Sequence, residues 1–167
     1  MLIKRRSTTA ERVRQLLNYD PETGKWTWRV ARGCRRAGSG AGTVNGRYLT
    51  IKVDGVFYYA HVLALLYMTG EWPPDDVDHK DVDSSNCRWS NLRPATRTLN
   101  IANSSLRKDN ASGCKGVSWH KAAGKWVARI GIGGQRIHLG CFDTIEAASS
   151  IYEKAAIAAF GSFARAS

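Results

Sequence analysis

Residues 77–103, VDHKDVDSSNCRWSNLRPATRTLNIAN, are the stretch from which the rest of this chain is read. Its 27 residues hold Asp78, His79, Asp81 and Asp83, then Asn91, then Asn100. Val77 to His79 reads as a short strand, Lys80 to Cys87 as a polar loop and Arg88 to Ser90 as a returning strand. Pro94 suits the first turn of a helix carrying Thr96 to about Ser104. On that helix Thr96, Asn100 and Asn103 share a face by the i, i+4 and i+3 rule. The pattern is strand, loop, strand, helix, with acids at one end and an amide facing them. Carboxylates beside a histidine, followed by amides, make a hard oxygen-ligand set with a proton acceptor next to it. That is the equipment for metal-assisted attack on a phosphodiester.

The surrounding charge makes the cluster more pointed. Lys and Arg number 25 against 14 Asp and Glu, a net +11 that implies a polyanionic partner. Residues 1–36 carry 10 basic and 3 acidic groups, residues 37–104 carry 6 and 7, and residues 105–167 carry 9 and 4. Two basic ends thus flank a slightly acidic middle. Asp75, Asp76, Asp78, Asp81 and Asp83 repel one another unless a cation bridges them, so a metal site is one reading and a solvated acidic loop the other.

Upstream, Met1 to Arg6 is a basic arm suited to phosphate. Thr8-Thr9-Ala10-Glu11 reads as a capping box opening a helix through Val13, Leu16 and Leu17. YDPETGK at 19–25 is turn chemistry, and Lys25 to Val30 alternates as a strand with Trp26 and Trp28 on one face. Gly33 to Gly46 is a Gly- and Arg-rich loop, either a backbone clamp or a connector. Tyr48 to Val53, Asp54-Gly55 and Val56 to Tyr59 form a β-hairpin. His61 to Met68 reads as a helix ending at Gly70, with His61 at its entry.

Downstream, SSLRKDNASG at 104–113 is the linker candidate. Val117 to His120, Trp126 to Ile132 and Arg136 to Cys141 read as three strands. Thr144 to Phe160 reads as a helix with Ile145, Ala148, Tyr152, Ala155 and Ala159 on one stripe. Cys34, Cys87, Cys114 and Cys141 are widely spaced with no C-x-x-C pair. With no signal peptide and no apolar run of the ~18 residues a membrane span needs, they imply reduced thiols in the cytoplasm.

With these residues in view, the first half resembles the HNH endonucleases of phage and intron origin. YDPETGKWTW, YYAH, TGEWPP and DHKDVDSSNCRWSNLR lie in that family's order, over Leu16 to Asn103. Asparagine follows the histidine by 12 residues and a second asparagine comes nine further on. The resemblance implies that Asp78 and Asn100 ligate one divalent cation. It makes His79 the general base for water, and Asn91 the residue that holds the loop and orients the imidazole. Asn100 stands where histidine is frequent in the family, which favours Mg²⁺ or Mn²⁺ over zinc. Val62 and Cys87 depart from the family's usual arginine and asparagine.

The second half, Gly113 to about Phe163, resembles the Apetala-type DNA-binding domain of plant ethylene-response factors. KGVSWHK, GKWVARI, RIHLGCFDT and EAASSIYEKAA carry the likeness. It implies a sheet whose outer face enters the major groove. By alternation Trp126, Ala128 and Ile130 face the helix while Lys125, Val127, Arg129 and Gly131 face DNA. Ile137 and Leu139 go inward, Arg136 and His138 outward, and Lys115, Ser118 and His120 fall at contact positions. Arg129 and Arg136 either read guanine or grip phosphate.

The expected fold class is α+β: a ββα-metal nuclease domain at 1–104, a linker at 105–112, and a three-stranded antiparallel sheet packed on one helix at 113–167. The expected function is a phage-encoded, homing-type, metal-dependent endonuclease acting on double-stranded DNA. The alternative is a DNA-binding regulator on an inactive nuclease fold; RNA binding has only the basic charge in its favour.

Overall fold

The structure, a computed structural model, describes residues 7–31 and 33–165; the basic arm lies outside them. The described residues form four α-helices and small antiparallel sheets, and the chain divides into two compact units, Met1–Ala95 and Thr96–Ser167.

In the first unit, helix α1 (Ala10–Leu16) is capped by Thr9, whose hydroxyl accepts from the Arg12 amide at 3.2 Å. The helix stops one residue short of expectation. Leu17 turns extended and opens β1 (Leu17–Tyr19), which pairs antiparallel with β2 (Trp26–Trp28). Leu17, Tyr19, Trp26 and Trp28 are all buried, so the WTW alternation sends both indoles into the core. Strands β3 (Thr43–Asn45), β4 (Tyr48–Val53) and β5 (Val56–Tyr59) form the second sheet in that order. The β4–β5 turn is built by Asp54 and Gly55, both left-handed with φ of 45° and 89°, the geometry a two-residue hairpin requires. Part of the expected glycine-rich loop is therefore strand β3. Helix α2 (Ala60–Thr69) buries Leu63 and Leu66 completely enough to contribute roughly 1.5–3 kcal/mol each, and it ends at left-handed Gly70.

The acidic segment begins with β6 (Asp76–His79), and its partner differs from expectation. Arg88 to Ser90 is not a strand. Trp89–Asn91 is a 3-10 turn, and the returning strand is β7 (Leu92–Ala95), with Asp78 opposite Arg93 and His79 opposite Leu92. The reason is local: the Trp89 amide donates to the Pro21 carbonyl at 2.9 Å, away from any ladder. Pro94 accordingly sits in a strand, which a two-stranded ribbon with open edges tolerates.

Gly24 locks this arrangement in place. Its φ is +73°, and a Cβ there would stand 2.5 Å from the Cys87 carbonyl carbon and 2.6 Å from the Arg88 nitrogen. Tyr19 Oη also donates to the Cys87 carbonyl at 2.6 Å. Gly24→Ala is expected to cost more than about 2 kcal/mol in urea unfolding. Gly46→Ala, at a comparable φ of +62° in open space, isolates the clash and should cost clearly less.

In the second unit, helix α3 (Arg97–Asn103) starts at its cap Thr96. Strands β8 (Val117–His120), β9 (Lys125–Ile132) and β10 (Gln135–Phe142) form an antiparallel sheet with β9 central, and α4 (Ile145–Phe160), capped by Thr144, covers one face. Val117, Trp126, Ala128, Leu139 and Phe142 meet Ile145, Ala148 and Tyr152 there. The buried stripe of α4 continues to Ala156 rather than Ala159, which is exposed, because the 3.6-residue repeat drifts. Strict alternation also fails on the sheet. Ile137 is exposed, on an edge strand, and a register shift between His138 and Gly140 interrupts the β9–β10 ladder. Val127, expected outward, is buried. Packing thus divides the chain at Ala95/Thr96, ahead of the 105–112 segment read as a linker, because α3 packs with α4 and the turn Gly161–Phe163.

Candidate active site

Adjacent on β6, Asp78 and His79 are both buried, an unusual state for two ionisable side chains in a basic protein. Register explains how the carboxylate is held. Arg93, directly across the ribbon, brings its Nε and one terminal guanidinium nitrogen to Asp78 Oδ2, each at 2.8 Å. Sequence reading missed Arg93 because it put the returning strand four residues early; with β7 at Leu92–Ala95 the pairing follows directly.

His79 packs edge-on against the ring of His61, with centroids 4.7 Å apart. Tyr59 stacks on His61 at 5.4 Å, and Tyr48 stands 5.4 Å from His61 and 6.4 Å from His79. Burial lowers the pKa of His79, and this outweighs the opposing pull of Asp81, Asp78 and Asp83. Burial, with a smaller push from His79, takes His61 down to about 3. The result is a pair of neutral imidazoles, one of which can accept a proton at neutral pH. His61 thus has a sharper position than helix entry alone implies: it is the wall behind His79.

A folded pKa below the unfolded one means that stability is full above about 6.5 and is lost as pH falls toward 3. Urea midpoints measured across that window should fall with acid in the wild type and less steeply in His61→Phe. Equal slopes would contradict the burial of a neutral His61.

Asn91 ties down the loop that follows. Its Oδ1 accepts from the Asp81 amide at 3.1 Å, while its Nδ2 donates to Asp81 Oδ1 at 2.9 Å and to the Asn86 carbonyl at 2.8 Å. Asp81 also accepts from Asn86 Nδ2 at 2.6 Å, and Asp83 accepts from the Ser85 amide and hydroxyl. These donors hold the carboxyl pKa values of Asp81 and Asp83 below the usual range, for Asp81 against the opposing effect of burial. Val82 is held at φ +69°, a conformation that is costly for a β-branched residue. Asp81 and Asp83 are loop-building acids here. Asn100 lies half-buried on α3, in the second unit.

The comparisons with known proteins bear on this segment. Residues 58–101 match the HNH endonuclease family. That match points to a nuclease, and its span runs from the end of β5 through Asn100. The chain is 33% identical over 76 residues to Protein 3.8 of Escherichia phage T7, covering 46% of this chain and 63% of that protein. It is 28% identical over 97 residues to Dehydration-responsive element-binding protein 1I of Oryza sativa subsp. japonica, covering 56% of this chain and 39% of that one. The chain therefore spans less than two thirds of either relative's length.

Outside the HNH segment, the second unit carries the other candidate residues. Ser118, His120, Arg136 and His138 are exposed, and Arg129 is half-buried opposite His138 across the β9–β10 ladder. Lys125 Nζ pairs with Asp143 at 2.5 Å, His120 Nδ1 accepts from the Ala123 amide at 3.1 Å, and Lys115 Nζ donates to the Ala102 carbonyl at 2.8 Å. Lys115 is thus engaged in tying β8's approach to α3.

The four cysteines are free, and among the described residues no three His, Cys, Asp or Glu side chains form a metal-holding group. In the first unit Asp78 supplies one buried carboxylate, a hard oxygen donor. No helix among the described residues is long and apolar enough to cross a membrane.

Proposed function

We propose that this protein is a metal-dependent DNA endonuclease of homing type that hydrolyses phosphodiester bonds, with the sheet of residues 113–167 helping to recognise the site. The observation that carries the reading is the buried Asp78–His79 pair, backed by His61, inside the segment that matches the HNH family. His79 takes the proton from the attacking water. Asp78 and Asn100 are the residues that hold the divalent ion, Mg²⁺ or Mn²⁺. When bound, the ion polarises the scissile phosphate and stabilises the leaving oxygen. Asn91 keeps the 80–87 loop closed so that the imidazole keeps its orientation.

In this reading residues 1–104 act as the nuclease, 105–112 as the link and 113–167 as the DNA reader. Lys115, Ser118, His120, Lys125, Arg129, Arg136 and His138 are its contact candidates on double-stranded DNA. Likeness to the T7 protein supports a phage origin and action in the cytoplasm of a bacterial host.

One observation favours a second reading, a DNA-binding regulator without cleavage: Arg93 pairs with Asp78, the carboxylate that would hold the metal. A nicking assay separates the two. Purified protein with its natural locus should cut in Mn²⁺ or Mg²⁺ and not in a chelator. Binding without scission across several divalent metals would establish the regulator.

A further inference from the structure

A cleft of about 110 Å³ lies in the first unit, between the glycine-rich segment and the outer face of β4 and β5. Arg35 and Lys52 line it together with Trp28, Phe57, Gly40 and Gly42. Both cations are positioned by rings: the Arg35 guanidinium lies 4.8 Å from the Trp28 centroid and Lys52 Nζ lies 5.3 Å from that of Phe57. Such contacts hold a cation in place without neutralising it. No acidic residue lines the cleft, and no ion pair among the described residues engages Arg35 or Lys52. Its volume exceeds the ~30 Å³ of one water several-fold, which is room for a phosphate group.

The cleft is on the same sheet face as the candidate active site. Tyr48, Thr50 and Lys52 alternate onto that face, and register places Tyr59 opposite Thr50 and Phe57 opposite Lys52. At one end of this face Tyr48 reaches the rings of His61 and His79. At the other end lie Lys52 and Phe57. Four residues of strand separate the two ends by ~13 Å, a span that phosphates only a few nucleotides apart on a duplex can bridge.

We infer that this cleft is a second seat for the DNA backbone, where Arg35 and Lys52 bind phosphates a few nucleotides from the one presented to His79. The inference rests on DNA being the partner proposed above. It would give the nuclease unit its own grip on the duplex, independent of the C-terminal sheet, and fix which phosphate reaches the histidine.

The test is the salt dependence of binding to a short DNA duplex, measured by fluorescence anisotropy in a chelator so that no strand is cut. Each lost phosphate contact lowers the slope of log K against log salt by about 0.9. Arg35→Gln/Lys52→Gln should therefore lower its magnitude by about 1.8, whereas Lys154→Gln, on the solvent side of α4, should leave it unchanged. Both residues are exposed, so the variant should fold, and circular dichroism checks that. An unchanged slope in a folded double variant overturns the inference. Wild-type protein with no salt-dependent DNA binding overturns it together with the nuclease reading. A reduced slope in a protein that never nicks DNA upholds the cleft and removes the nuclease.

Discussion

His79→Ala is expected to lower metal-dependent strand scission by about 10²–10⁴-fold, the range for loss of a general base, while duplex affinity stays unchanged. The argument rests on environment as well as residue type. His79 is walled by His61 and Tyr48, and its burial outweighs three nearby carboxylates in setting its pKa below the ordinary value. In the proposed role the base is the neutral imidazole, so a lowered pKa extends the active form to more acidic pH. Single-turnover cleavage should thus keep its plateau below pH ~6.5 before falling. An acid limb at or above that value, or equal cutting by His79→Ala, would remove His79 from the chemistry.

Asp78→Ala should show the other large effect, in two measurements at once. The substitution leaves the Arg93 guanidinium largely buried, at 14% side-chain exposure, without the carboxylate that receives two of its N–H groups. Removing one member of a buried ion pair is costly, up to about 3–5 kcal/mol, so the urea midpoint should drop. Asp78→Ala/Arg93→Met removes both charges and should recover most of that stability. If Asp78 is a metal ligand, Mn²⁺ affinity by calorimetry stays lost in the double variant even though the fold returns. Recovery of Mn²⁺ binding along with stability would show that Asp78 serves Arg93 alone.

Much of the local structure was legible. Asp54-Gly55 between two alternating runs is a hairpin because few residue pairs accept left-handed φ twice in succession. Gly70 ends α2 for the same reason, and Thr144 with the 3.6-residue stripe delimits α4. A tie from Asn91 to the 80–87 loop was implied by the HNH resemblance alone, and its hydrogen bonds meet the loop's need for donors and acceptors from its own neighbourhood. Less legible was the ribbon that carries Asp78. With a 12-residue connection there is no turn signal to set the register, and Trp89 is drawn out of the strand by Pro21, far away in sequence.

By itself the chain determined which segments are helix or strand in most of its length, and it put Asp78 beside His79 because they are neighbours on one strand. Local periodicity and turn chemistry act over a few residues, so they are written in the order of the residues. Tertiary structure alone decided that Arg93 grips Asp78, that His61 walls His79, and that Arg35 and Lys52 converge on one cleft. Those approaches depend on how separate elements bury their apolar faces against one another, and no short stretch of sequence contains that information.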